Sequence, residues 1–95
     1  MSVVILGGND CMVRTYKEIC KEYKCRAKVF THMKTDLKRQ IGSPDLLVMF
    51  TGTMSHKMAR CAVNETKGLP VKIERSHSGS ASALKNILEM HVNNI

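Results

Sequence analysis

Arg75-Ser76-His77-Ser78-Gly79-Ser80-Ala81-Ser82-Ala83 lies between an apolar run, Leu69 to Ile73, and an amphipathic run, Leu84 to Val92. The stretch gathers groups that bind: hydroxyls, an imidazole, a guanidinium fork, and a glycine that lets backbone come close. It falls where a strand should hand over to a helix. A helix N-terminus presents unpaired N–H groups and a partial positive charge, so such a loop suits an anion or a polar ligand. The plainer alternative is a serine-rich N-cap, because Ser is a preferred capping residue.

Two more loops carry similar chemistry. Gly7-Gly8-Asn9-Asp10 follows the apolar run Val3 to Leu6, and Thr51-Gly52-Thr53-Met54-Ser55-His56 follows Leu46 to Phe50. The candidate ligand-binding residues are therefore Gly7, Gly8, Asn9, Thr51, Thr53, Ser55, His56, Arg75, Ser76, His77, Ser78 and Ser80. His32, His56 and His77 are the candidate metal ligands if haem or a metal is bound, although no carboxylate or spacing marks such a site. Each histidine also has a plain reading. His32 and His56 suit exposed surface positions, His77 can bond a neighbouring loop, and His91 falls on an apolar helix stripe as a packing or interface residue. Ser55-His56 and Ser76-His77-Ser78 set hydroxyl beside imidazole, but adjacent residues do not make a triad and no orienting acid is evident. A non-catalytic binding module is expected rather than an enzyme.

The elements that position these loops follow from periodicity. Val3 to Leu6 is a short continuous apolar run, the pattern of a strand buried on both faces. Asn9 or Asp10 can cap a helix in which Met12, Val13, Tyr16, Ile19, Cys20 and Tyr23 recur with helical period to about Lys24. A second strand over Ala27 to Thr31 and a short helix over Thr35 to Ile41 follow, ended by Ser43-Pro44. Asp45 to Phe50 is the most hydrophobic strand and should be central. Ser55 can cap the next helix, with Met54, Met58, Cys61 and Ala62 on its inner face and Gly68 and Pro70 at its end. Leu69 to Ile73 is expected as the fourth strand, and a last helix runs from about Ser80 to Val92.

Strand and helix alternate four times. This predicts an α/β, Rossmann-like fold: a parallel four-stranded sheet in the order 2-1-3-4, helices on both faces, and right-handed crossovers. In such sheets ligands bind beyond the carboxyl ends of the strands, where the strand order reverses. All three glycine-bearing loops, with Thr31 and His32, fall on that edge. Other uses of the architecture are set aside. No Gly-x-Gly-x-x-Gly or phosphate-binding P-loop is present, and no acidic residue follows the third strand as a phosphoacceptor needs. A phosphocysteine carrier would place its cysteine at the end of the first strand, whereas Cys11 comes after the glycines.

The totals narrow the partners. The 95 residues predict one domain, 1–95, with a core small enough for pairing with a second copy to help. A homodimer is expected, with Met90, His91 and Val92 of the last helix as its face. No apolar run is long enough to span a membrane, and Met1 to Leu6 lacks the features of a signal peptide, so the cytoplasm is expected. Cys11, Cys20, Cys25 and Cys61 form no Cys-x-x-Cys pair; Cys20 and Cys61 fall on apolar helix faces, where a thiol packs as a small hydrophobe. Cys20 to Arg26 matches the Cys-x5-Arg spacing of a phosphatase loop, but the segment reads as a helix end entering a strand. A net charge of +7 suits nucleic acid, yet Glu18 and Glu22 interrupt the stripe of Arg14, Lys17, Lys21 and Lys24, and aromatics make up just 4%. Specific nucleic-acid binding is not expected. A small anionic molecule fits the charge as well.

Three segments together carry a family resemblance: Val3 to Asn9, a strand then Gly-Gly; Val48 to His56, a strand then Thr-x-x-x-Ser-His; and Arg75 to Ser82, Arg-Ser-x-Ser-x-x-x-Ser. In their order and spacing these resemble the bacterial family called domain of unknown function 2325, over nearly the whole chain. The resemblance implies a small Rossmann-like domain without an established enzyme activity, and it brings haem binding as an alternative function. A protein-interaction or scaffold domain is the third reading. Gly7, Gly8, Ser55, His56, Arg75 and Ser76 carry over from the family pattern. The chain departs from that pattern at Met49 and Thr53, where relatives often have cysteine, and at Asn9, where His or Arg is common.

Overall fold

The computed structural model describes residues 1–32 and 37–92. Strands β1 (Ser2–Gly7), β2 (Arg26–Phe30), β3 (Leu46–Phe50) and β4 (Lys72–Ser76) alternate with helices α1 (Val13–Glu22), α2 (Leu37–Ile41), α3 (His56–Thr66) and α4 (Ala81–Val92). A single 3-10 turn, Asp10–Met12, leads into α1. The sheet is parallel throughout, in the order β2-β1-β3-β4, as the alternation predicts.

Burial explains the order. In β1 and β3 the residues from Val3 to Leu6 and from Leu46 to Phe50 are all buried, so both strands need cover on two faces and take the centre. β2 alternates charged with apolar residues, β4 is mostly charged and polar, and both lie at the edges, where charge discourages unwanted pairing. Strand alternation then divides the core. Val3, Ile5, Val48 and Phe50 face Tyr16, Ile19 and Cys20 of α1 and Leu84, Ile87 and Leu88 of α4. Val4, Leu6, Leu47 and Met49 face Leu37 and Ile41 of α2 and Met58 and Ala62 of α3.

α1 ends in a Schellman motif. The N–H of Cys25 donates to the Cys20 carbonyl at 2.8 Å, and that of Lys24 to the Lys21 carbonyl at 2.9 Å. The left-handed position, usually glycine, is held by Lys24 at φ 58°. The motif brings Cys20 and Cys25 into one apolar cluster. Burial pushes the Cys20 thiol up to about 12, with Cys25 adding to the shift.

One boundary differs in a way that matters for the site. The fourth strand starts at Lys72 rather than Leu69 and includes Arg75 and Ser76, which the sequence places in a loop. After α3 the backbone first turns: the Leu69 N–H donates to the Thr66 carbonyl and the Val71 N–H to the Leu69 carbonyl, while Pro70 has no N–H to give a ladder. The strand itself, Lys-Ile-Glu-Arg-Ser, is polar because it is an edge, so hydrophobicity understated it. The start of α2, expected at Thr35, lies outside the described residues. Among the described residues no helix is long and apolar enough to cross a membrane.

Candidate functional site

The strand order reverses between β1 and β3, and their carboxyl ends open into a cleft of about 420 Å³ lined by Gly8, Asn9, Met12, Thr53, Gly79, Ser80 and Ala81. Three loops meet there. β1 closes on Gly7 and Gly8, whose φ values of 85° and 84° fall in the left-handed region that glycine adopts without strain. A Cβ on Gly8 would lie 2.6 Å from the Tyr16 hydroxyl, so that position has no room for a side chain.

Tyr16 is the fastener beneath the cleft. Its side chain is fully buried, its ring centroid lies 5.4 Å from that of Phe50, and its hydroxyl donates to the Gly79 carbonyl at 2.5 Å. The same oxygen accepts the Asn9 N–H at 3.4 Å. One side chain on α1 thereby ties the β1 loop to the loop before α4. The third loop joins through Thr53, whose hydroxyl accepts the Gly8 N–H at 2.6 Å and donates to the Phe50 carbonyl at 3.2 Å.

Most of the hydroxyls expected to meet a ligand are engaged with backbone. Ser55 accepts the Met58 N–H at 3.2 Å as the N-cap of α3, and Ser80 accepts the Ala83 N–H at 3.2 Å in the same manner on α4. Ser76 donates to the Ser78 carbonyl at 2.9 Å, and the Ser78 hydroxyl accepts the Ser80 N–H at 3.3 Å. Asn9 caps the 3-10 turn by accepting the Cys11 N–H at 3.1 Å. Apart from the Asn9 side-chain amide, polar capacity in the cleft therefore rests on backbone. The Ala81 and Ser82 N–H groups, in the first turn of α4, have no hydrogen-bond partner among the described residues.

The structure separates other candidates from this group. Arg75 pairs in register with Met49 and lines a different cleft with Ala59, Arg60 and Val63, on the α3 face of the sheet. It does not join Gly8, Asn9 and Ser80, because strand alternation turns it to the opposite side from Glu74, which bonds His91 of α4. Thr51 lines that second cleft too. The Gly52 N–H donates to the His77 carbonyl at 3.2 Å, which locks the β3 loop to the end of β4.

The histidines do not converge on the ligand cleft. His32 is exposed and bonds Asp10 through Nε2 at 2.8 Å; His56 is exposed at the start of α3; His77 is exposed beside Gly52. None of the three lines the 420 Å³ cleft, and among the described residues no three His, Cys, Asp or Glu side chains gather around a point where a metal could sit. The residues at the cleft thus do not fit a histidine-ligated haem. His91, partly buried, is hydrogen-bonded to Glu74 at 2.8 Å, so its expected packing position also carries a polar contact between α4 and β4.

Asp10, a helix-cap candidate by sequence, instead sits beside the cleft and is held by side chains that follow β2. Its carboxylate accepts from the Thr31 hydroxyl and faces His32, and these hydrogen bonds, Thr31 first, hold its pKa below the usual 3.8. The signal in sequence is an acid two residues after Gly-Gly, but its partners, Thr31 and His32, follow the end of β2, 21 and 22 residues away. The link between Tyr16 and Gly79 has the same origin: a core tyrosine and a loop glycine look unrelated until the fold stacks them. A further cavity of about 390 Å³, lined by Met1, Asp45, Leu46, Pro70, Lys72 and His91, opens at the opposite, amino edge of the strands, away from the crevice that parallel sheets use.

No curated protein and no solved structure matches the chain. A family model described as "Uncharacterized protein conserved in bacteria (DUF2325)" matches residues 2–91, which takes in every strand, the Gly7-Gly8 turn and the loop leading into α4. The chain belongs to the DUF2325 family.

Proposed function

We propose that this chain is a non-catalytic binding module that holds a small anionic ligand in the cleft between Gly8, Asn9, Thr53 and the first turn of α4. The observation that supports it is the Ala81 and Ser82 N–H pair, left without a partner among the described residues where α4 opens onto a cleft of about 420 Å³. Gly8 and Gly79 let the two loops close on Tyr16, and the Thr53 and Tyr16 hydrogen bonds hold the walls of the cleft in place before a ligand arrives. Arg75 has no part in this set. The net charge of +7 adds a general attraction for anions.

The test is Ala81→Pro. Proline at the first helical position keeps the helix and removes one donor N–H. Calorimetry with phosphate, nucleotides and anionic metabolites should find a saturable ligand whose affinity falls about tenfold or more in the variant, the worth of one hydrogen bond to a charged group. No binding across the panel, or binding indifferent to Ala81→Pro, rejects the reading. Haemin is titrated in parallel: a saturable Soret shift abolished by one His→Ala change would replace the anion with haem. The homodimer is part of the same proposal, centred on Met90, which is 59% exposed on α4, and light scattering that finds a monomer would remove it. The cytoplasm is the proposed compartment, where thiols such as Cys11, Cys20, Cys25 and Cys61 stay reduced.

A further inference from the structure

β4 is an open edge of the sheet. The Lys72 N–H donates to the Asp45 carbonyl at 3.2 Å, and the Ser76 carbonyl accepts the Thr51 N–H at 2.8 Å. In a parallel ladder alternate residues bond the same neighbour, so Lys72, Glu74 and Ser76 address β3 while Ile73 and Arg75 turn their N–H and C=O groups outward. Among the described residues no fifth strand pairs with them. Such an edge is a template for an added strand.

The side chains next to that edge state what kind of strand it would take. Between β4 and α3 lies a cleft of about 250 Å³, in which Ala59 and Val63 offer apolar surface over the buried Met49 and Arg60 and Arg75 are exposed. Among the described residues neither guanidinium has a carboxylate within ion-pair distance. The acid on the strand itself, Glu74, is bonded to His91 on the other face. Lys72, exposed, adds a third positive charge along the edge. A second copy of the chain fits this edge badly. Antiparallel self-pairing centred on Glu74 would set Glu74 against Glu74 and gather Arg60 and Arg75 of both copies, and opposed like charges destabilise a pair of strands.

We infer that the β4 edge docks an extended acidic segment of another protein as a fifth strand. Its main chain bonds the outward groups of Ile73 and Arg75, and the side chains on its α3-facing side are carboxylates, which meet Arg60 and Arg75, interspersed with apolar groups that enter the cleft beside Val63. Main-chain bonds supply affinity in this mode and the pockets supply selectivity. The surface is separate from the α4 cleft, so Ala81→Pro leaves it unchanged.

The probe is a peptide of Glu-Thr-Val-Thr repeats, whose Glu and Val share one face of an extended strand, with the Lys-Thr-Val-Thr peptide as control, titrated into the full chain. Expected are saturable binding of the acidic peptide alone, slowed hydrogen exchange at the Ile73 and Arg75 amides, and an affinity loss of about tenfold or more when Arg60→Glu and Arg75→Glu are combined. Both arginines are exposed, so circular dichroism of the double variant should match the parent. Four results overturn the proposal: no binding of the acidic peptide, binding without protection of those two amides, indifference to the double charge reversal, or protection already present in the concentrated free chain. The last would assign the edge to a second copy.

Discussion

The Tyr16 hydroxyl sits in a protein interior yet finds both a donor and an acceptor role, in the Asn9 N–H and the Gly79 carbonyl. Removing it leaves the Gly79 carbonyl without that partner while the ring keeps its place on Phe50. Tyr16→Phe should therefore lower stability by about 1–3 kcal/mol in urea denaturation. It should also loosen the two loops it joins, so anion affinity at the cleft falls with it. Asp10 makes a second prediction at this scale. Its folded pKa is depressed below 3.8, by the Thr31 and His32 hydrogen bonds, so the contribution is complete above 3.8 and is lost as pH falls through the lower folded value. NMR titration of the Asp10 carboxyl should give a midpoint under 3.8 that rises in Thr31→Val; an unmoved midpoint would show that Thr31 is not the cause.

Among the elements, α1 has the least expected ending. The motif that stops it normally uses glycine, because an L side chain in the left-handed region costs roughly 1–2 kcal/mol. Lys24 occupies that position at φ 58°. Lys24→Gly should accordingly stabilise the protein, by about 1 kcal/mol in thermal or urea unfolding, with no change in the cleft. Destabilisation instead would mean that the lysine stem packs on something worth more than the strain. The motif's hydrophobic contact is made by Cys20 and Cys25, which explains why both thiols are buried and, in Cys20, hard to ionise. The β4 edge shows the complementary case. A strand of mixed charge is poor by hydrophobicity and is held by its pairing to β3, whose five residues from Leu46 to Phe50 are all buried.

At the scale of the whole molecule, the central strands and the edges should differ in how readily they open. β1 and β3 are bonded on both sides and covered on both faces, so opening them exposes both halves of the core. Native-state hydrogen exchange should find the Ile5 and Val48 amides among the slowest, and Ile73, with its N–H outward, among the fastest of the strand amides. Equal rates across the sheet would contradict the topology. The same arrangement keeps function at the margins. The cleft stands on the carboxyl ends of the rigid pair β1 and β3, and the proposed docking edge lies one strand away on the opposite face.

The layers of this protein follow from its pattern of apolar residues alone. Continuous apolar runs at Val3–Leu6 and Leu46–Phe50, alternating with helical periodicity, dictate a parallel sheet covered on both faces, and with it the order 2-1-3-4 and the edge on which loops gather. The cap at Ser55 was legible too, and a serine-rich cap before the last helix was one of two readings there, since capping is a matter of a few neighbouring residues. What the tertiary structure alone decided was which polar groups remain free and which face each one takes. The position of β4 moved Arg75 into a strand and, by alternation, away from the ligand cleft. The serines were spent on backbone, and Tyr16, Asp10 and Gly79 gained partners from other elements. Local propensity is written along the chain, but register and the satisfaction of hydrogen bonds depend on partners tens of residues away, and those are set when the layers pack.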